Sequence, residues 1–532
     1  MTSLSVPDTM GTRDLRASIC IIGAGLVGLT IADRLIASGK PVVVLESGPL
    51  KPDPEDQDFN EIDAVSRPYA SATRGRYRGL GGSGIRWGGR FLPLASHEIG
   101  PRPYLGLDPW PLDVSTIAQY QAEVDDLFGL PHSPFGDEAR YILPRGSACP
   151  VSDQDIGVRF PKWAPFSRCN LGITVGPRLQ AAPNIDVHTA TTVCDFELDA
   201  VAGRLTRVVA RDARGQKLSV AADEFVLACG TIESTRMLLV LDQRMSGAVF
   251  RGCEALGHYL QDHLGAKVAD MDIANTTAAN RMFGYRFEGS VRRNAHLELS
   301  PAAQEEAMSG AAFAHVITTP TAQSSTAVVK QFLRGRQSGA FRPSREDFAR
   351  VVRDVPTLVV GAKWRFVDRQ HYWPADLKHS MFVWIEQLPA TTNRISLSDR
   401  IDRFGMPLAQ VEWQPIPSDE TTFRAAIRKL RSYWDRHHLD RLCRLRWTPE
   451  ASDETLSIVD GATEVFHPSG TTRMGRDSRS SVVDPNELRC HRVSNLRVVS
   501  ASVFPTAGST GPTCTLLQLA IRAADQLAGS VR

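Results

Sequence analysis

The sequence lacks long hydrophobic runs, and no stretch approaches the roughly 20 apolar residues that a membrane-spanning helix needs. Residues 1–16 are polar, include Asp8 and Asp14, and have no apolar core of the kind a secretory signal contains. An excess of one charge is also lacking, because 61 Lys and Arg against 59 Asp and Glu leave a net charge of +2. We therefore expect a cytoplasmic protein whose partners include neither nucleic acid nor a membrane.

Cysteine is scarce and scattered. None of the nine cysteines forms a C-x-x-C pair, and no Cys/His spacing fits a zinc or iron–sulfur site, so no metal is expected. Cys20, Cys229 and Cys514 lie in apolar or glycine-rich segments, which predicts buried thiols rather than disulfides.

Glycine, in contrast, is placed informatively near the start of the chain. Gly23-Ala-Gly-Leu-Val-Gly28 follows a short apolar segment, Ile19 to Ile22, that predicts a buried strand. In such a motif Gly23 permits a tight turn and Gly25 lets the backbone approach a pyrophosphate. Gly28 lets the following helix pack closely on the strand.

The residues after this motif complete a dinucleotide-binding pattern. A helix is predicted over 26–37, with its N-terminal N–H groups directed at the phosphates. A second strand is predicted over 42–45, and Glu46 follows it where a carboxylate accepts both ribose hydroxyls. The alternative is a glycine-rich turn in an ordinary α/β domain.

Other segments predict how the chain is organised. Residues 74–90 form a second glycine-rich loop, and residues 224–240 repeat the strand, glycine and helix order. Residues 276–454 contain less glycine and more tryptophan and charge, which indicates a second domain. The last eighty residues return to glycine-rich segments before a final helix over 513–527. Further helices are predicted over 113–128, 344–355 and 421–437, a hairpin over 184–212, and strands over 382–387 and 394–398.

Taken in order, these segments resemble the glucose–methanol–choline (GMC) family of flavin oxidoreductases. The resemblance rests on the first glycine motif with Glu46, Leu80-Gly-Gly-Ser-Gly-Ile-Arg-Trp-Gly-Gly89, the segment 228–239, Glu386-Gln-Leu-Pro with 393–397, Phe466-His-Pro-Ser-Gly-Thr-Thr-Arg-Met-Gly475, Val482-Val-Asp484 and 495–505. The Trp-Gly-Gly and Gly-Thr-Thr-Arg-Met-Gly segments are similar to the sugar-oxidising branch that includes pyranose oxidase.

The resemblance implies an α/β fold with two domains. A Rossmann-like FAD-binding domain, discontinuous in sequence, is expected over 14–100, 170–275 and 455–532. An α+β substrate-binding domain on a mostly antiparallel sheet is expected over 101–169 and 276–454. Residues 318–360 look like an insertion, either a lid or an oligomer contact.

The same resemblance implies a set of FAD-binding residues: Gly23, Gly25, Gly28, Glu46, Ser47, Arg78, Gly82, Ser83, Arg86, Trp87, Gly88, Gly89, Val193, Cys229, Gly230, Ser502, Pro512 and Thr513. Some sugar oxidases attach FAD through a histidine at the position of Arg86. Arginine does not form that bond, so the FAD is expected to be non-covalent. Pro512 and Thr513 open the last helix, whose N-terminus would stabilise negative charge on reduced flavin.

His467 is the expected catalytic base, because removal of a hydroxyl proton near neutral pH suits an imidazole. The alternative is a capping or core histidine. The family usually pairs this histidine with a second histidine or an asparagine, and Gly511 occupies that position. Either Thr510, Ser509 or a residue of the substrate domain substitutes, or the enzyme orients its substrate differently, works slowly or catalyses other chemistry.

Other candidates are given plainer interpretations. His258 and His263 are interpreted as packing residues, and the pair 437–438 as cations at a helix end. Four aromatic residues either line a ring-stacking pocket or pack in the core: Trp364, Tyr372, Trp373 and Trp384.

The expected reaction is FAD-dependent oxidation of a CH–OH group of a sugar, glycoside or related polyol. The substrate class rests on family analogy alone. Three alternatives stay open: oxidation of a hydroxylated natural product such as a terpenoid or antibiotic intermediate, a lyase that retains FAD structurally, and an impaired flavin-binding partner subunit. The electron acceptor is oxygen, a quinone or a redox protein, and a homo-oligomer is possible.

Overall fold

The computed structural model describes residues 13–51, 55–141, 148–319, 328, 344–346, 349, 352, 355–374 and 377–529. Its strands are β1 (Arg13–Ile22), β2 (Val42–Leu45), β3 (Ile62–Ala64), β4 (Arg90–Phe91), β5 (Ile156–Arg159), β6 (Lys162–Trp163), β7 (Ile185–His188), β8 (Thr191–Asp199), β9 (Arg204–Asp212), β10 (Lys217–Leu227), β11 (His263–Ile273), β12 (Arg286–Glu288), β13 (Val291–Arg293), β14 (His296–Leu299), β15 (Ala312–Thr319), β16 (Lys378–Glu386), β17 (Arg394–Ile401), β18 (Pro407–Glu412), β19 (Cys443–Trp447), β20 (Thr463–Glu464) and β21 (Leu496–Val498).

The helices are numbered in the same way: α1 (Leu26–Leu35), α2 (Ala70–Thr73), α3 (Ser96–Ile99), α4 (Val114–Ala118), α5 (Gln121–Phe128), α6 (Phe166–Cys169), α7 (Leu171–Thr174), α8 (Gly176–Ala181), α9 (Gly230–Arg244), α10 (Thr276–Phe283), α11 (Pro301–Glu306), α12 (Val355–Phe366), α13 (Pro417–Arg436), α14 (Pro449–Ser452) and α15 (Thr513–Ala528).

The first sheet has seven strands in the order β7-β2-β1-β10-β9-β8, with β21 paired to β10. Strands β7, β2, β1, β10 and β21 run parallel, with Ile21 paired to Val44 on one side and to Val226 on the other. Such strands are buried on both faces, which explains the unbroken apolar runs read from the sequence. The parallel strands end at one edge, where a crevice binds ligands in this class of fold.

The second large sheet is antiparallel. Its order is β19-β11-β16-β15-β14-β5, and β20 also pairs with β11. Helix α13 is amphipathic and buries Phe423, Ile427 and Leu430 in the second hydrophobic core. The predicted fold class, a Rossmann-like sheet beside an α+β part on an antiparallel sheet, is confirmed.

Several predicted elements differ in detail. The helix predicted over 113–128 is two helices, α4 and α5, and the one over 421–437 begins four residues earlier at Pro417. Strand β7 is not part of the predicted hairpin, because it pairs in parallel with β2. Most of residues 318–360, including half of the helix predicted over 344–355, lies outside the described residues.

Two further expectations concern the surface and the thiols. None of the helices in the described part of the chain combines the length and apolarity needed to cross a bilayer. All nine cysteines are free, and Cys20 and Cys514 are buried as predicted. Cys229 is only partly buried, because it lies at the wall of a cavity.

Candidate active site

An elongated cavity lies at the carboxyl ends of β1, β2 and β10, and it encloses about 1290 Å³ including the open space at its mouth. Most of the residues predicted to bind the cofactor line it: Gly23, Gly25, Glu46, Ser47, Arg78, Gly82, Ser83, Val193, Cys229, Gly230, Pro512 and Thr513, and His467 joins them. The structure thus brings together residues from both ends of the chain.

Three helix N-termini meet at this cavity. Helices α1, α9 and α15 begin after Gly25, Cys229 and Pro512, and all three of these residues line it. None of the three helices has a side-chain cap, so their first N–H groups are not occupied by side chains of their cap residues. Because a helix N-terminus carries partial positive charge, the cavity suits a ligand with anionic groups.

The glycines of the first motif have the positions that the sequence predicts. A β-carbon on Gly28 would lie 1.9 Å from the Gly23 carbonyl oxygen, so only glycine lets α1 pack this closely. Gly23 has φ of +102° and also abuts the Ala228 carbonyl. At Gly25 the nearest atom to an added β-carbon is 3.9 Å away, which leaves this part of the backbone open to the cavity.

Glu46 follows β2 and its carboxylate is held by the backbone. Oε2 accepts from the Ala24 N–H at 2.8 Å, and Oε1 accepts from the Gly48 N–H at 2.8 Å and the Gly79 N–H at 3.1 Å. Burial raises the pKa of Glu46, and these hydrogen bonds oppose that rise. The carboxylate is therefore fixed at the cavity wall, with lone pairs left to accept further hydrogen bonds.

A charged cluster at the same cavity includes residues that sequence reasoning missed. Arg78 donates to Ser47 Oγ at 2.8 Å and to Glu233 at 2.9 Å, and Arg76 lies 3.5 Å from the same carboxylate. Flanking arginines hold the pKa of Glu233 at about 2, although burial opposes them. The sequence identified the second glycine-rich loop, residues 74–90, but nothing in it singled out Arg76 or connected Arg76 with Glu233.

His467 is hydrogen-bonded to a second histidine. The Nδ1 atoms of His467 and His263 are 3.2 Å apart, and His263 Nε2 lies 2.8 Å from the carbonyl oxygen of Gly508. A carbonyl only accepts, so His263 Nε2 carries the proton in that bond. Burial lowers the pKa of His263 to about 4, which leaves its Nδ1 as an acceptor at neutral pH. His467 must then donate from Nδ1, and its Nε2 is left with a free lone pair.

The pKa of His467 is itself well below its usual value, because of burial and the neighbouring His263 and Arg90. The backbone around the pair is fixed by Asp262, which accepts from the His467 N–H at 2.9 Å, the His263 N–H at 2.7 Å and the Tyr69 hydroxyl at 2.7 Å. A neutral imidazole held in one tautomer can accept a proton from a hydroxyl at Nε2. The sequence interpretation of His263 as a packing residue missed this contact.

Gly511 lies beside His467. A β-carbon there would be 3.3 Å from His467 Nε2 and 3.5 Å from Arg90 Nη2. The predicted substitutes face elsewhere: the Thr510 hydroxyl donates to the Leu92 carbonyl at 3.3 Å, and Ser509 Oγ donates to Glu98 at 2.8 Å. Both side chains are buried, so neither hydroxyl is free at this position.

Four residues predicted to bind the cofactor contact protein neighbours and are not among the residues that line this cavity: Trp87, Gly88, Gly89 and Ser502. The Trp87 indole donates to the Cys169 carbonyl at 2.9 Å, and β-carbons on Gly88 and Gly89 would meet the Trp163 ring and Cys169 Sγ. Ser502 is buried and accepts from Thr472 at 2.6 Å. Sequence spacing does not reveal these contacts.

Arg86 and the four aromatic candidates lie in different parts of the structure. Arg86 is exposed, with its guanidinium 3.9 Å from the centre of the Tyr77 ring. Trp384 is the aromatic candidate near the imidazole, 6.4 Å from the His467 ring, whereas Trp373 stacks on His379. The other two pair together, Trp364 with Tyr372 at 5.8 Å. Among the described residues, no group of three or more His, Cys, Asp or Glu is arranged to hold a metal ion.

The residues that line this cavity are suited to bind FAD. The three uncapped helix N-termini suit its anionic pyrophosphate and flavin pyrimidine edge, and the Glu46 carboxylate suits the ribose. The open backbone at Gly25 leaves room for close approach of a phosphate.

Comparison with known proteins gives the same indication. Residues 389–520 match the family model described as GMC oxidoreductase. The chain is 23% identical to 2-methyl-1,2-propanediol dehydrogenase of Mycolicibacterium austroafricanum, over 97% of this chain and 96% of that protein. It is 22% identical to the fructose dehydrogenase large subunit of Gluconobacter japonicus, over 98% and 100%.

A solved structure shows the same fold. Pyridoxine 4-oxidase from Mesorbium loti superposes with a TM-score of 0.58 at 19% sequence identity, covering 96% of this chain and 98% of that one.

Proposed function

Because this chain carries the GMC oxidoreductase domain over residues 389–520 and shares full-length similarity with dehydrogenases, we propose that it uses FAD to oxidise a CH–OH group to a carbonyl. The observation that carries this proposal is the free Nε2 lone pair of His467 beside a cavity where three uncapped helices begin. FAD bound there would supply the hydride acceptor for this oxidation.

The chain's own residues divide the work of binding and proton transfer. Glu46 would accept hydrogen bonds from the ribose, the N-terminus of α1 would bind the pyrophosphate, and the first turn of α15 at Thr513 would stabilise negative charge on the flavin. His467 Nε2 takes the hydroxyl proton, while His263 keeps the imidazole in the required tautomer. The side chain at position 86 is an arginine, so we propose that the FAD is not covalently attached.

We propose a polyol-like substrate: a sugar, a glycoside or a related polyol. Two of the relatives support this, since one is named for a diol and the other for fructose. Oxidation of another hydroxylated natural product is the alternative within the same chemistry.

The test is anaerobic absorbance of the purified holoenzyme during a screen of sugars, glycosides, diols and simple alcohols. We expect the flavin to bleach with one class, and the rate to fall by about 10²- to 10⁴-fold in His467→Ala, since that is what a general base contributes. His258→Ala is the matched control, because His258 is hydrogen-bonded to the Thr391 carbonyl away from this pair. Flavin that stays oxidised with every alcohol would overturn the proposal and favour a lyase or an inactive partner subunit.

The attachment of FAD has a separate test. Acid precipitation of the protein should leave all of the yellow flavin in the supernatant. Flavin that stays in the pellet would show a covalent bond.

A further inference from the structure

Arg90 is a cation with no ion-pair partner among the residues that the structure describes. It begins β4, directly after the second glycine-rich loop, and its guanidinium lies among aromatic rings, 4.6 Å from the centre of Trp384, 5.2 Å from Phe313 and 5.9 Å from Trp163. Its Nη1 is buried and has no hydrogen-bond partner in the part of the chain that the structure describes. No carboxylate of those residues lies within ion-pair distance of it.

Such a position is unfavourable unless something else supplies the negative charge. Aromatic faces attract a guanidinium, but they do not satisfy its N–H donors. Burial lowers the pKa of Arg90 to about 10, so the group is still charged at neutral pH. Glu298 interacts electrostatically with Arg90, but it lies 3.4 Å from Arg159 and burial raises its pKa to about 7. The charge of Arg90 is therefore available to a ligand.

The ligand that Arg90 faces is also in reach of the base. Arg90 Nη2 and His467 Nε2 lie within 3.5 Å of one point, the position that a β-carbon on Gly511 would take. Glycine places no side chain between the two groups. Trp384 borders both groups, since its ring is 4.6 Å from the Arg90 guanidinium carbon and 6.4 Å from the His467 ring.

We propose that Arg90 binds the carboxylate of a 2-hydroxy acid whose hydroxyl lies at His467 Nε2. This inference rests on the proposed function and names its substrate class. A planar guanidinium held by aromatic rings binds a carboxylate through two parallel hydrogen bonds. Because both nitrogens lie within 3.5 Å of one point, they are close enough for a carboxylate and a hydroxyl on adjacent carbons to reach both at once.

The reaction balances with the groups already named. The C–H bond breaks with its electron pair and the hydride goes to FAD, while the O–H proton goes to His467. The carbon–oxygen bond becomes a carbonyl, so the product is a 2-keto acid whose carboxylate is unchanged. Arg90 binds the anion and is neither oxidised nor reduced.

Measuring how tightly 2-hydroxy acids bind tests the role of Arg90 without requiring the reaction to take place. Glycolate, D- and L-lactate and gluconate are titrated into the holoenzyme by calorimetry, beside their neutral counterparts ethylene glycol, 1,2-propanediol and sorbitol. We expect saturable binding of at least one acid and about 10- to 100-fold weaker binding of it by Arg90→Met, the usual range for losing a charge-assisted hydrogen-bonded pair. Arg90→Lys should recover part of the loss, because it restores the charge without the planar fork.

Arg431→Met is the matched control. Arg431 also lies over an aromatic ring, Trp447, at 4.5 Å, and also has a buried unpartnered nitrogen, yet it is on α13. It should bind the acids as the wild type does. Circular dichroism and flavin absorbance of Arg90→Met show whether the variant is folded and loaded.

The inference would be overturned if no acid binds, or if an acid and its neutral counterpart bind equally tightly. It would also be overturned if Arg90→Met binds the acid as tightly as the wild type does. An equal loss for acids and neutral alcohols would also overturn it, since Arg90 would then contact the reacting oxygen. Anaerobic flavin reduction separates the two proposals. If only neutral alcohols bleach the flavin, the proposed alcohol oxidation stands and the 2-hydroxy acid is rejected as substrate. If an acid binds in an Arg90-dependent way but nothing bleaches the flavin, the carboxylate site at Arg90 stands and the proposed oxidation is rejected.

Discussion

His467 and His263 are joined through their Nδ1 atoms, 3.2 Å apart, with their rings nearly perpendicular at 89°. The proton in this contact belongs to His467, because His263 already donates from Nε2 to Gly508. The nitrogen that keeps its free lone pair, His467 Nε2, is thus selected by a carbonyl two hydrogen bonds away, at the turn that precedes the last helix.

Replacing His263 with Phe should therefore impair His467 without removing it. The His467 Nδ1–H would lose its acceptor, and the imidazole would be free to take the other tautomer. We expect the rate of flavin reduction to fall about tenfold to a hundredfold, part of the factor of about 10² to 10⁴ that a general base supplies. Nitrogen-15 NMR should show loss of the single Nδ1–H form of His467. His263→Asn, whose amide oxygen can accept the same proton, should recover part of the rate; an unchanged rate in His263→Phe would refute the role.

Gly25 and Gly28 should respond differently to alanine. In Gly28→Ala the new methyl group meets the Gly23 carbonyl at 1.9 Å, and we expect the free energy of unfolding to fall by about 1–3 kcal/mol or more. Gly25→Ala has space in the protein and should fold, but its methyl group occupies the approach to the pyrophosphate and should weaken FAD binding about tenfold or more. Thermal denaturation and flavin titration measure the two effects. Gly157→Ala, with no atom within 4 Å of the new methyl, is the control.

The buried pair of Arg102 and Glu386 should carry much of the stability of the turn at Gly508. Glu386 Oε1 is 2.8 Å from Arg102 Nη2 and accepts from the Gly508 N–H at 3.0 Å. Glu386→Ala leaves Arg102 charged and buried, so we expect a loss of about 3–5 kcal/mol in urea unfolding. Glu412→Ala, which breaks the more exposed pair with Arg394, should cost no more than about 1 kcal/mol. Equal losses in the two variants would contradict this assignment.

Acid should destabilise the protein through its buried histidines. Burial lowers the pKa of His315 to about 3, whereas an unfolded histidine titrates near 6.5. Between these values the unfolded chain binds a proton that the folded one does not, so stability falls as pH falls, by up to about 1.4 kcal/mol per pH unit for this group.

The variant His315→Phe isolates that contribution. The difference in unfolding free energy between wild type and variant should move in favour of the variant as pH drops from 6.5 towards 3, and it should be constant above pH 7. Other groups titrate in both proteins and cancel, including Glu298 with its pKa raised to about 7. Parallel pH profiles for the two proteins would show that His315 is not kept neutral by the fold.

The part of the cavity built by residues 23–46 could be predicted from the sequence, because these residues are close together along the chain. A turn, a helix and strand β2 separate Gly23 from Glu46 by about the spacing expected of the fold, and the close packing of Gly28 is a local backbone requirement. Trp87, Gly88 and Gly89 show the limit of this reasoning. Their motif was recognised, but its contacts with Cys169 and Trp163, which are distant in the sequence, were not.

The sequence by itself determined the fold class and the glycine turn, and it singled out His467 as the candidate base. These depend on local periodicity, backbone conformation and residue type. Only the tertiary structure decided what surrounds that histidine. His263, 204 residues away along the chain, sets its tautomer, and Gly511 places it opposite Arg90. Hydrogen-bond partners and unpaired charges are properties of side chains that meet across two sheets, and no spacing in a linear sequence encodes that meeting.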